Sequence, residues 1–161
     1  MRKKAKTKES TTKKQPNLSP LRSRIMRAVK SKNTKPELLV RRLVHSLGYR
    51  YRLHRIGLPG KPDLVFPVRR KLIFVHGCFW HAHSCKRGAR LPKTNRDYWK
   101  AKIRRNMTRD AEHLRGLKAG RWRVLTVWEC ETKDKRRLAV RIKRFLGPAS
   151  QTRGKRAAPP A

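Results

Sequence analysis

Apolar residues recur at helical spacing between Thr34 and Gly48. The periodic positions are Leu38, Leu39, Leu43 and Leu47. Thr34 and Glu37 have the three-residue spacing of a capping box, in which each side chain accepts a hydrogen bond from the other residue's backbone N–H. Gly48 suits the left-handed position that follows many helices. The pattern therefore predicts a helix over residues 34–48.

A second and longer helical pattern begins near Asn95, and Gly120 is predicted at the C′ position that follows it. Its three- and four-residue steps include Trp99, Ile103, Asn106, Asp110, Leu114 and Leu117. Asn106 and Asp110 thus fall on the apolar stripe of the predicted helix. Because burying an unpaired carboxylate is costly, we expect Asp110 to form a structural ion pair with Lys, Arg or His, or to lie beside a metal.

Short apolar runs predict the strands. DLVFPV and KLIFV, at residues 63–68 and 71–75, read as a hairpin, and WRVLTVW at residues 122–128 reads as a buried strand. YRYRL, at residues 49–53, is predicted as a further strand. Two more helices are predicted, over residues 19–31 and 133–146. The order of elements indicates an α/β fold with a mixed sheet and one crossover through the long helix.

The net charge of the chain indicates the class of molecule that it binds. The 161 residues include 46 Lys and Arg against 9 Asp and Glu, a net charge of +37. Such a charge suits a protein that neutralises phosphates and releases their counterions, so nucleic acid is the first partner to consider. No long apolar run favours a membrane. Residues 1–17 and 147–161 are predicted as basic disordered tails around a domain at residues 18–146.

Three cysteines in a chain without a secretory signal argue against a disulfide framework. Cys78, His83 and Cys85 lie close together in FVHGCFWHAHSC, and Cys130 follows the last predicted strand. Three sulfurs and one imidazole form the closed tetrahedral set of a structural zinc site. The alternative is three free thiols and a loop histidine. His81 is a further possible zinc ligand, but it would then be unable to do chemistry.

Three other features of the sequence allow two readings each. Asp63 opens a predicted strand, where a carboxylate either binds a metal in nucleases or bonds its own turn backbone. Glu37 is explained by the capping box alone, without a function. Phe79 and Trp80 would be core residues in most proteins. On a strongly cationic protein, rigidly held aromatics can instead enter between base pairs.

Several of these stretches together resemble the very short patch repair (Vsr) family of DNA mismatch endonucleases, over residues 19–146. The resemblance rests on GKPD, FVHGCFWHAHSC and RWRVLTVWEC, together with Trp99, Asn106 and Asp110. It implies a restriction-endonuclease-like mixed central sheet flanked by helices, with an added structural zinc site. It also implies Mg²⁺-dependent nicking of double-stranded DNA, 5′ to the thymine of T:G mismatches that arise by deamination of 5-methylcytosine.

The resemblance assigns a role to each matching catalytic residue. Asp63 corresponds to the family's metal-binding aspartate, and a backbone carbonyl near Val75 would also bind Mg²⁺. His76 takes the position of a lysine in the restriction fold, and His81 corresponds to the catalytic histidine. Two acids correspond to residues that hold metal-bound water or orient a histidine: Glu37 and Asp110.

The remaining matches concern zinc and DNA. Cys78, His83, Cys85 and Cys130 correspond to the zinc ligands. Phe79, Trp80 and Trp99 correspond to aromatics that intercalate beside the mismatch, and Asn106 to a residue on the DNA-reading side. Ala82 and Ser84 depart from polar residues or histidines common in the family, and Val75 replaces a polar residue found in some members. None of these three side chains is a required ligand.

Two other functions compete with the mismatch endonuclease. One is a non-catalytic, zinc-stabilised DNA-binding protein, and the other is a restriction-type nuclease that cuts paired DNA. The combination of Asp63, His76, His81 and Asp110 favours an enzyme. We expect a monomer in the bacterial cytoplasm, associated with the nucleoid, with mismatch-repair proteins as further candidate partners.

Overall fold

In a computed structural model of the chain, residues 32–53 and 55–149 are described. Their elements, in chain order, are α1 (Lys35–Ser46), β1 (Leu64–Phe66), β2 (Lys71–His76), α2 (Arg96–Ala119), β3 (Arg123–Trp128), a 3₁₀ helix (Glu129–Lys133) and α3 (Lys135–Leu146). The predicted helix over residues 19–31, the N-terminal tail and most of the C-terminal tail lie outside the described residues. Within the described ranges, no helix is long and apolar enough to cross a membrane.

The three strands form one mixed sheet in the order β1-β2-β3. Strands β1 and β2 are antiparallel, with Leu64 opposite Ile73. Strands β2 and β3 are parallel, and their pairing runs to His76 opposite Trp128. The predicted hairpin, the mixed sheet and the crossover through the long helix are therefore confirmed. The finer assignment to the restriction-endonuclease fold stays a prediction.

Apolar side chains pack on both faces of this sheet. Because successive strand residues point to opposite faces, the two sides of the sheet bury different residues. On one face, α1 and α3 cover Leu64, Ile73 and Val127, and Ile142 of α3 is fully buried there. On the other face, Leu117 near the end of α2 packs with Val65, Leu72, Phe74 and Trp122. The sheet therefore lies between helices, and the candidate functional residues lie near the ends of its strands.

The predicted helix ends are confirmed for the start of α1 but not for the end of α2. The capping box of α1 is confirmed, since Thr34 and Glu37 exchange side-chain to backbone hydrogen bonds of 3.3 and 3.4 Å. The prediction for the end of α2 was wrong by one residue. Gly120 has an ordinary negative φ of −72°, and the left-handed residue is Arg121, with φ of 56°. The backbone N–H of Trp122 then bonds the carbonyl of Leu117, which completes a Schellman-type end.

The predicted strand at residues 49–53 is reduced to a single antiparallel bridge between Arg52 and Val65. Its tyrosines are held by other elements instead. The Tyr49 hydroxyl donates to the carbonyl of Gly147, and the Tyr51 hydroxyl donates to the carbonyl of Arg41. These bonds tie the segment to the helices, so it does not continue along the edge of β1.

The segment after α3 also packs on the domain. Arg69 donates to the carbonyls of Leu146 and Pro148, and Lys71 donates to that of Leu146. Cations are favourable at a helix C-terminus, where backbone carbonyls lack helical partners. Residues 147–149, assigned to the tail from composition, therefore make contacts with the β1–β2 hairpin. At its other end, α3 begins at Lys135, two residues later than predicted, because Asp134 caps it by accepting from the backbone N–H of Arg137.

Candidate active site and metal centre

Asp63 lies directly before β1, and its Oδ2 accepts a hydrogen bond of 2.7 Å from the backbone N–H of Val75 in β2. The hairpin brings the two residues together, as the sequence-based assignment requires. Burial raises the pKa of the Asp63 carboxyl from 3.8 to about 6, because desolvation outweighs the Val75 hydrogen bond. A partly buried carboxylate that is held by a strand backbone is a suitable ligand for a hard divalent cation such as Mg²⁺.

A buried ion pair on α1 adds to the electrostatics at Asp63. Glu37 pairs with Arg41 one helical turn later, and both side chains are buried. The guanidinium of Arg41 also donates 2.8 Å to the side-chain oxygen of Asn33. At Asp63, the Glu37 charge raises the carboxyl pKa and the Arg41 charge lowers it. Arg41 was not predicted from the sequence, although its four-residue spacing from Glu37 is the signal for such a pair.

Two histidines and one carboxylate come together at the end of β2. The rings of His76 and His81 are stacked, with centroids 3.8 Å apart and planes 11° from parallel. His81 Nδ1 lies 2.5 Å from Oδ2 of Asp110 on α2. Burial, with a smaller contribution from the His81 charge, lowers the pKa of His76 to about 4. His76 is therefore neutral at physiological pH, and Asp110 has the histidine partner expected for a carboxylate on the apolar stripe.

The contact with Asp110 also fixes the tautomer of His81. An ionised carboxylate only accepts hydrogen bonds, so Nδ1 of His81 must carry the proton. The lone pair of the neutral ring is then on Nε2. This is the arrangement that lets a histidine take a proton from water, with a carboxylate behind it to stabilise the charge that develops.

The four predicted zinc ligands are gathered in space. The three sulfurs and one imidazole nitrogen of Cys78, His83, Cys85 and Cys130 all lie within 4.8 Å of one another. Cys78 is fully buried, and its sulfur accepts a 3.4 Å hydrogen bond from the backbone N–H of Cys130. The Cys130 sulfur lies 3.5 Å from Nδ1 of His83. A soft, closed donor set of this kind fits tetrahedral Zn²⁺.

The protonation of the thiols supports the same reading. Burial raises the pKa of Cys78 to about 12, whereas the hydrogen bond from His83 lowers the pKa of Cys85 to about 6. A buried thiol of such high pKa is of little use as a free nucleophile. A bound metal would deprotonate it, since the thiolate is the form that ligates. Metal binding at the cluster would therefore release the proton of Cys78.

Trp128 packs against two of the candidate sites, a role that was not predicted from the sequence. Its ring stacks on His83 with centroids 4.4 Å apart, and it meets His76 edge-on at 5.6 Å. One side chain thus contacts both the cysteine cluster and the histidine pair. The signal in the sequence is its position at the end of β3, opposite His76 in the parallel register.

The predicted DNA-contacting aromatics form one cluster. Phe79 lies 5.1 Å from Trp80 and 5.4 Å from Trp99, centroid to centroid. Trp99 is buried, at 7% exposure, whereas Phe79 and Trp80 are only partly covered. Lys102 places its ammonium 5.4 Å from the Trp80 ring and also faces Tyr98. A cation over the faces of aromatic rings is favourable, and it adds positive charge at the exposed edge of the cluster.

Asn106 secures the loop that carries these rings. Its side-chain nitrogen donates 3.0 Å to the carbonyl of Trp80, and its side-chain oxygen accepts 2.7 Å from Arg109. With Asp110 one turn further along α2, the helix therefore holds the loop at Trp80 and at His81. The predicted role of Asn106 in reading DNA stays a prediction.

Comparison with known proteins finds relatives that are described as DNA mismatch endonucleases or nicking enzymes. The family model described as DNA mismatch endonuclease Vsr matches residues 18–87. The type II nicking enzyme V.XorIIP of Xanthomonas oryzae is 53% identical over 133 residues, covering 82% of this chain and 97% of the relative. V.NmeAIP of Neisseria meningitidis is 42% identical over 78% of this chain and 89% of the relative. The Escherichia coli DNA mismatch endonuclease Vsr is 38% identical over 73% and 74%, respectively.

Proposed function

Because this chain belongs to the family of Vsr DNA mismatch endonucleases, we propose that it nicks double-stranded DNA 5′ to the thymine of a T:G mismatch. The nick would begin very short patch repair of deaminated 5-methylcytosine. The observation that carries the proposal is the loop from His76 to Cys85. It joins an Asp110-oriented histidine to a pair of partly exposed aromatics, and it carries three of the four Cys and His side chains that would bind zinc.

His81 is the base in the proposed reaction. Its Nε2 takes a proton from the attacking water, and Asp110 holds the ring and stabilises the imidazolium through Nδ1. His76, stacked on His81 and neutral, directs a ring nitrogen towards the phosphate or its water. Two rings this close are unfavourable as two cations, so His76 stays neutral when His81 is charged.

Asp63 and the backbone at Val75 would hold Mg²⁺, with Glu37 positioned to bind water around the ion. Bound Mg²⁺ supplies charge stabilisation for the phosphate and a lower pKa for its water. The buried ion pair with Arg41 fixes the direction of the Glu37 side chain. The protein's own part is to hold one carboxylate, one backbone group and two imidazoles at the end of a single hairpin.

The aromatic cluster supplies the mismatch preference. A wobble pair stacks poorly, so inserting Phe79 and Trp80 beside it costs less than insertion at a Watson–Crick step. Trp99 packs against both rings, and we propose that it contributes to the contact with the bases. Asn106 fixes the loop through its hydrogen bond to the Trp80 carbonyl, and we propose that it lies on the side that reads DNA.

A nicking assay on matched duplexes tests the proposal. The substrates are a T:G duplex and its T:A and C:G controls, each labelled on one strand, at equal salt and with Mg²⁺. We expect one nick 5′ to the thymine of T:G, and Asp63→Ala should bind the duplex without cutting it. Equal cutting of all duplexes would indicate a restriction-type nuclease. Binding without cutting by the unmodified protein would indicate a non-catalytic DNA-binding protein.

The same duplexes address the partners. We propose that the protein acts as a monomer on chromosomal DNA in the bacterial cytoplasm. A randomised sequence around the T:G pair would reveal the preferred context. Mismatch-repair proteins can then be added to the preferred duplex, and a rise in the nicking rate would identify them as partners.

A further inference from the structure

The three side chains His76, His81 and Asp110 have a second property besides their proposed catalytic use. Their ligating atoms all lie within 4.8 Å of one another, and each side chain is only partly buried. Two imidazoles and one carboxylate are the donor types that zinc, cobalt and nickel accept in proteins. We infer that His76, His81 and Asp110 form a second transition-metal site, separate from the cysteine cluster.

The geometry indicates where the ion would lie. Nδ1 of His81 and Oδ2 of Asp110 are 2.5 Å apart, and the proton between them is on Nδ1. Two ligands on one tetrahedral zinc are about 3.3 Å apart, given a metal–ligand distance of about 2.0–2.1 Å. The His81–Asp110 contact must therefore open slightly, and the widest separation in the group, which is at most 4.8 Å, must close by at most about 1.5 Å. Small side-chain rotations of His76, His81 and Asp110 would have to supply both movements.

The ion would take the place of the proton between His81 and Asp110. Nδ1 of His81 then carries the metal in place of its proton, and the neutral ring takes its one proton on Nε2 by exchange with solvent. The lone pair that accepts a proton from water in the proposed reaction is thereby removed. Occupation of the site should inhibit nicking, a consequence that rests on the proposed function, whereas the binding itself does not.

The two sites differ in ways that an experiment can separate. The cysteine cluster offers three sulfurs and closes around its ion, so it retains zinc. The histidine site offers no sulfur and keeps open positions. It should therefore bind more weakly and exchange its ion with solvent. It also differs from the Asp63 group, whose oxygen donors prefer Mg²⁺.

Cobalt titration of the zinc-loaded full-length protein tests the site. We expect one further Co²⁺ to bind, with visible ligand-field bands but no thiolate-to-cobalt charge-transfer band. Substitution of any one member, as His76→Gln, His81→Gln or Asp110→Asn, should weaken this binding about 10-fold or more. His45→Gln, at an exposed histidine on α1, is the matched control and should bind as the unmodified protein does. Zinc content and thermal unfolding verify that each variant is folded.

Three outcomes are decisive. Absence of a second cobalt, or equal binding by the Asp110→Asn variant, would overturn the site whether or not the protein nicks DNA. A charge-transfer band would place the cobalt on the cysteines and would also overturn it. Binding that leaves Mg²⁺-supported nicking at full rate would uphold the metal site and remove His81 from the role of base.

Discussion

The carboxylate of Asp110 accepts a hydrogen bond of 2.5 Å from Nδ1–H of His81, and this bond joins helix α2 to the loop that follows β2. The relationship leaves Nε2 of His81 free to accept a proton. It also accounts for a carboxylate on the apolar stripe of a helix, where an unpaired charge would be costly. The orientation of the proposed base therefore depends on a residue that need not touch DNA.

Asp110→Asn should lower the nicking rate by a factor on the order of 10² to 10⁴, because an amide cannot enforce the same tautomer or stabilise the imidazolium. Binding of the T:G duplex should change little. Single-turnover rates at saturating DNA measure the effect. Glu112→Gln, an exposed acid on the same helix, is the control and should retain full activity. Equal losses in both variants would assign the effect to general charge.

Asp63→Asn should stabilise the protein above pH 6 when Mg²⁺ is absent. The fold raises the pKa of Asp63 from 3.8 to about 6, so the folded state holds a proton that the unfolded state has already released between these values. The fold loses stability as the pH rises through this window, and the ionised carboxylate costs at most about 3 kcal/mol above it. Asparagine retains an oxygen acceptor for Val75 and carries no charge.

Denaturant unfolding of the wild type and the Asp63→Asn variant, from pH 4 to 7.5 without Mg²⁺, measures this effect. The gap in unfolding free energy should open with rising pH and reach a plateau above pH 6. Added Mg²⁺ should narrow it by stabilising only the wild type. A gap that is constant across the pH range would show that Asp63 titrates normally.

Gly88→Ala should disrupt the zinc centre as strongly as Cys130→Ser. A Cβ at position 88 would overlap the carbonyl oxygen of His83 and crowd that of Cys78, so the loop has no room for a side chain there. Zinc content should fall from about one ion per chain towards zero in both variants, and the unfolding temperature should fall with it. Gly57→Ala is the control, since nothing lies near a Cβ at that position, although its φ of 85° adds modest backbone strain. Wild-type protein that contains no zinc would contradict the assignment.

Trp80→Ala should reduce mismatch discrimination more than general DNA affinity. Stacking of an aromatic ring on a base contributes about 1–3 kcal/mol, so binding to the T:G duplex should weaken roughly 5- to 150-fold. Binding to the paired duplex at the same salt should change much less, since phosphate contacts dominate there. Trp80→Phe keeps a ring and should retain most of the preference. Parallel losses on both duplexes would exclude a wedge role.

Some of the molecule could be predicted because local patterns carry the information. Thr34 and Glu37 specify their capping box within one turn, and the helical stripe placed Asp110 among buried positions. The three cysteines, taken with His83, left few other uses for three sulfurs. The gathering of these four side chains in space agrees with that expectation.

Other features depend on contacts that the local sequence does not contain. The strand predicted at residues 49–53 failed because Tyr49 and Tyr51 bond the carbonyls of Gly147 and Arg41, which are distant in sequence or lie on another element. Arg121 takes a left-handed conformation usually left to glycine, next to a glycine that does not use it. The position of Trp128 between two sites is likewise set by strand pairing.

The parallel register of β2 and β3 has a consequence for how the protein folds. His76 is paired with Trp128, so Cys78 and Cys130 each follow the paired ends by two residues. The cysteine cluster can therefore assemble only when the two strands have found this one alignment, 52 residues apart along the chain. A slip by a single residue would move one sulfur away from the others. Zinc would therefore bind only after the strands have paired, and its binding would stabilise the correct register of β2 and β3.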